Sequence, residues 1–74
     1  MTAAELQYKI EIGVTVEFVH EGQKRFIQGE KEGRELRVRF GKDGEAGQKY
    51  DSFRHFMAEA MVGNHWLREF IEGI

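Results

Sequence analysis

The chain has 74 residues, 41% of them hydrophobic, no cysteine, and a formal net charge of −2; a chain of that size holds one core, so a single domain over residues 1–74 is expected, with no room for a separate catalytic domain. The slightly acidic balance argues against a surface that grips duplex DNA throughout, and apolar runs such as Ala60-Met61-Val62 fall far short of the roughly 20 residues that span a membrane. The opening Met-Thr-Ala-Ala-Glu-Leu-Gln has no cationic segment followed by an apolar one, so a cytoplasmic protein is expected; with neither disulfide nor metal to staple so small a core, a homodimer or an obligate partner is the natural supplement.

From the N-terminus, Leu6, Tyr8, Ile10, Ile12, Val14, Val16 and Phe18 fall on every second position, the period of a strand with one buried face. Gly13 interrupts the run and predicts either a bend between two strands or one long coiled strand. His20-Glu21-Gly22-Gln23 reads as a turn. Further strands are predicted over 24–30 and 35–40, where Leu36, Val38 and Phe40 alternate with Glu35, Arg37 and Arg39. Glu32-Gly33 is the expected turn between them. A two-residue loop there would pair Ile27 with Val38, and a three-residue loop would bring Phe26 against Phe40 in the core; the second is preferred, because Glu-Gly is a poorer two-residue turn than Asn-Gly.

Gly41, Gly44 and Gly47 then form a loose connection to a helix capped by Asp51 or Ser52. Phe53, Phe56, Met57, Ala60 and Met61 lie on one helical stripe. Gly63 reads as its terminator and Asn64 as the cap of a second helix, whose apolar side would be Trp66, Leu67, Phe70, Ile71 and Ile74. The expected architecture is therefore α+β: a three- or four-stranded antiparallel sheet packed against two C-terminal helices.

No motif for chemistry is complete. A Walker loop needs Gly, four residues, then Gly-Lys-Ser/Thr; Gly41 and Gly47 are one residue too far apart, and Tyr50 stands where the hydroxyl residue belongs. The connection reads as a hinge. His20, His55 and His65 lack metal-ligand spacing, and Ser52 with Asp51 and His55 is a local capping sequence rather than a triad. Neither a metal nor any other cofactor is implied, and a non-enzymatic protein is expected.

The functional lead is the segment from Lys24 to Lys42, where Lys24, Arg25, Lys31, Arg34, Arg37, Arg39 and Lys42 outnumber Glu30, Glu32 and Glu35. Such a basic hairpin can track a phosphate backbone, with Phe26 or Tyr50 offered for base stacking. It is equally a solvated strand face whose cations discourage edge aggregation. Trp66 is a candidate interface anchor. The sequence thus predicts an interaction module, with a protein partner favoured and single-stranded nucleic acid the alternative.

Overall fold

The computed structural model describes residues 1–74. A helix comes first, where a strand is expected. Thr2 caps it: its Oγ1 accepts from the Glu5 N–H at 3.1 Å and the Glu5 carboxylate accepts from the Thr2 N–H at 3.3 Å. This reciprocal capping box satisfies two otherwise unpaired donors. Helix α1 runs Ala3–Glu11 and buries Leu6 and Ile10. The alternation from Leu6 to Ile12 therefore has a helical origin: Leu6 and Ile10 form one stripe, and Tyr8 and Ile12, roughly 200° round from them, form another. Gly13, at φ +87°, ends the helix before the chain straightens.

Four antiparallel strands follow as a meander, in spatial order β1 (Val16–His20), β2 (Gln23–Glu32), β3 (Glu35–Lys42) and β4 (Gln48–Tyr50). Glu21-Gly22 is the first turn, as expected, with both residues at positive φ. The β2–β3 loop is Gly33-Arg34, which pairs Glu32 with Glu35 and Ile27 with Phe40. Both expected registers are corrected. Glycine at the first central position, here at φ +64°, is what a type II′ hairpin loop requires. Gly-Arg is the turn, not Glu-Gly. In consequence Ile27 is in the core, and Phe26, opposite Gly41, is on the other face.

The glycine segment joins two strands of a hairpin rather than a strand to a helix. A Cβ on Gly41 would lie 2.5 Å from the Gly47 Cα, and one on Gly47 would lie 3.1 Å from the Phe26 ring. The two backbones are clasped, with Phe26 against them.

Helix α2 (Phe53–Glu59) starts as expected at Ser52, whose Oγ accepts from the His55 N–H at 3.0 Å. It ends at Ala60, and no second C-terminal α-helix forms. Met61–Val62 (β5) and His65–Trp66 (β6) make a small hairpin around Gly63-Asn64, another Gly-first loop, with Gly63 at φ +60°. Two 3₁₀ turns, Leu67–Glu69 and Ile71–Gly73, complete the chain. The fold is α+β around a four-stranded antiparallel sheet, its two α-helices placed one before the sheet and one after it.

All twelve buried residues are hydrophobic and form one cluster. Ile27, Val38, Phe40 and Tyr50 come from one face of the sheet, Leu6 and Ile10 from α1, Phe56 from α2, and Val62, Leu67 and Ile71 from the C-terminal segment. Phe56 meets Phe40 and Tyr50 edge to face, with centroids 5.8 and 5.4 Å away. Helix α1 sits directly on β2: a Cβ on Gly29 would be 2.5 Å from the Ile10 carbonyl oxygen.

Candidate functional site

The strand register decides what the basic hairpin can do. Residues directly opposite across an antiparallel ladder share a face. Lys24, Arg37 and Arg39 accordingly lie on the sheet face away from the core, whereas Arg25, Lys31 and Lys42 lie on the core side, at its rims. Arg25 and Lys42 are paired at one end of the hairpin. Lys31 and Arg34 are at the other, six residues along β2 from Arg25, or about 20 Å of strand. The seven cations do not form one patch.

Those on the outer face are already engaged. Arg37 meets Glu32 at 2.9 Å, Glu35 at 3.2 Å and Asp51 at 3.0 Å. Its Nε faces Glu32 as a charge contact rather than an aligned hydrogen bond. Arg39 meets Glu30 at 3.1 Å, donates to the Gln28 Oε1 at 2.8 Å, and lies 5.8 Å from the Phe26 ring centroid. Glu30 also faces Lys49 at 3.6 Å. Lys24 pairs with Glu17 at 3.0 Å; that hydrogen bond and charge, with Asp43 nearby, hold its ammonium pKa above the ordinary value. A phosphate approaching this face competes with carboxylates in place. Lys31, Arg34, Arg25 and Lys42 have no such carboxylate.

The aromatic candidates separate in the same way. Tyr50 is buried, and the loss of hydration, followed by the charge of Glu59, raises its phenol pKa; its ring packs on Phe56 and His55 and is not a stacking platform. Phe26 is half-buried under Arg39. Trp66 is 37% exposed, opposite Met61 in the small hairpin, with the Arg68 guanidinium 4.9 Å over its ring.

Ser52, Asp51 and His55 meet as a helix start. The Ser52 hydroxyl accepts from the His55 backbone; the Asp51 N–H points to His55 Nδ1 at 3.4 Å, and His55 Nε2 faces the Glu59 carboxylate. His20 and His65 both lie edge-on to Phe70, with centroids 5.0 and 5.6 Å away.

The residues that sequence reasoning missed are apolar. Tyr8 is 63% exposed and Ile12 56%, on the side of α1 away from Leu6 and Ile10, and Val14 after Gly13 is exposed as well. Val19 on β1 is 67% exposed and Met61 is also exposed. Thr2-Ala-Ala-Glu5 and Gly13 were the signals that could have found the first set, because a helix between those bounds cannot bury Leu6 and Tyr8 together. No protein-family model matches the chain, and no curated protein or solved structure matches it either.

Proposed function

We propose that this chain is a binding module without chemistry of its own, that its partner is a protein, and that it presents the outer stripe of α1 to that partner. The observation that carries the reading is the exposure of Tyr8 on α1 and of Ile12 at its C-cap, on a helix whose core-facing stripe is already supplied by Leu6 and Ile10. The fold has no use for large apolar groups there; Gln, Glu or Lys would serve the helix as well. Apolar anchors one turn apart are how a helix docks in a groove, and Tyr is a frequent energetic anchor. Glu5 and Lys9 border the stripe on one side and Glu11 on the other, so the matching groove is apolar with a rim of both charges. An adaptor, an accessory subunit or a small inhibitor would each use such a surface.

Single-stranded nucleic acid is the competing reading. The pairing of Lys24, Arg37 and Arg39 with carboxylates supports the protein partner over it. The test is a photo-cross-linking phenylalanine analogue in place of Tyr8, with the same analogue at exposed Arg54 as control. The expected result is a discrete protein adduct from position 8 that Ile12→Glu abolishes. Adducts equal at both positions, or salt-sensitive oligonucleotide binding in fluorescence anisotropy that Arg34→Glu and Lys42→Glu remove, would overturn it.

A further inference from the structure

The sheet has two edges, and the sequence treats them differently. Strand β4 is three residues long and carries Lys49, which are two common ways of blunting an edge against other chains. Strand β1 is five residues long, Val-Glu-Phe-Val-His, with neither Pro nor Lys and no positive φ within it. Apart from its ladder to β2, no backbone or side-chain hydrogen bond reaches the main chain of Val16–His20. Val19 beside that open row is the most exposed large hydrophobic residue of the protein.

We propose that β1 is a self-pairing edge: two copies join β1 to β1 antiparallel about a twofold axis at Phe18, making one continuous sheet from two four-stranded ones. Charge selects that register. An axis at Glu17 sets Glu17 opposite its own mate, and an axis at Val19 sets Glu17 opposite Glu21; like charges directly opposite are unfavourable. With the axis at Phe18 all five residues pair, Val16 with His20 and Glu17 with Val19. Glu17 of each copy then lies across an uncharged side chain, the mate's Glu17 and Glu21 being only diagonal to it, about 7–8 Å away, and each Glu17 keeps Lys24 of its own copy at 3.0 Å. The edge can pair with itself over its whole length with no like charges directly opposite, which points to a second copy. A five-residue seam is short, so the dimer is weak and concentration-dependent. It lies on a different element from the α1 stripe, and the variants below leave that stripe unchanged.

The absence of cysteine makes a clean test possible. Glu17→Cys and Val19→Cys, both at exposed positions, are prepared separately and oxidised alone and mixed. Opposed residues lie about 4.5–5.5 Å apart between Cα atoms, within disulfide reach, whereas two Val19 positions are about 8 Å apart in this register. The mixed disulfide is expected to form at least about ten-fold faster than the Val19→Cys homodimer, which is the reference because Glu17→Cys removes the charge that disfavours an axis at residue 17. In parallel, sedimentation of the intact protein at up to about 1 mM should show a monomer–dimer equilibrium that Val19→Lys weakens at least about ten-fold, with far-UV circular dichroism unchanged. A monomer throughout that range, a dimer indifferent to Val19→Lys, or a mixed disulfide forming no faster than the Val19→Cys homodimer would each overturn the proposal; a strand of another protein as the true occupant gives the first of these.

Discussion

Gly29 is where the helix and the sheet come closest, and Gly29→Ala tests how α1 is seated. The new methyl would arrive 2.5 Å from the Ile10 carbonyl oxygen and 3.1 Å from its carbon, whereas comfortable contact needs about 3.5 Å, so α1 must lift by about 1 Å. The obstacle is backbone and cannot rotate away. Overpacking of this kind costs about 1–3 kcal/mol, and its ceiling is the loss of the burial of Leu6 and Ile10, together about 3–6 kcal/mol. A domain this small has a margin of about 3–5 kcal/mol, so a cost of about 2 kcal/mol removes roughly half of it. In urea unfolding followed by Trp66 fluorescence and circular dichroism, with a slope of about 1 kcal/mol per molar, the midpoint falls by about 2 M. Gly73→Ala, with nothing within 4 Å of the added carbon, is the control and shifts it by less than about 0.5 M. Adding Ile10→Ala to Gly29→Ala should give no rescue, because the collision is with the main chain of residue 10. An unchanged midpoint in Gly29→Ala, or a rescued one in the double variant, would refute the direct seating of α1 on β2.

Glu21 occupies left-handed space at φ 51°, so Glu21→Asn, giving the preferred Asn-Gly turn, should raise stability by about 0.5–1 kcal/mol in the same assay. Burial raises the Tyr50 pKa from 10.0; the stabilising preference for the neutral phenol is complete below the unfolded value and is lost as pH rises through the folded one, so stability falls above about pH 10. Tyr50→Phe should flatten that alkaline decline, and absorbance titration should resolve a late phenol in the parent protein that is missing from the variant. Arg37→Met strands three carboxylates around one lost charge; a loss of about 1 kcal/mol is expected at low salt, shrinking at high ionic strength as the exposed charges are screened.

The central sheet was legible because Leu36, Val38 and Phe40 alternate with charged residues and one face of β3 is solvated. Ser52 was legible as a cap because a hydroxyl before a helical stripe has a specific local use. The N-terminal helix was not read, since two opposed apolar stripes spaced by four residues leave the same even-numbered record as a strand, and only Thr2 with Glu5 separates the two cases. The same gap hid the exposed stripe: residues assigned to a buried strand face cannot also be seen as surplus. The β2–β3 register and the C-terminal hairpin failed for one shared reason. In the sequence pattern Gly33 and Gly63 read as the ends of turns or helices, whereas each is the first residue of a loop that needs positive φ at that place. The basic segment was visible in composition, but its division between two faces and two ends depends on register, which the misplaced turn shifted.

The clasp between Gly41 and Gly47 fixes both feet of the β3–β4 loop, while the span from Lys42 to Ala46 stands exposed and Gly44 has open space around it. Strand pairing on either side is thus insulated from what lies between the feet. Foreign sequence grafted at Gly44 should be carried on a rigid pedestal, which makes this small protein a candidate scaffold for displaying short peptides.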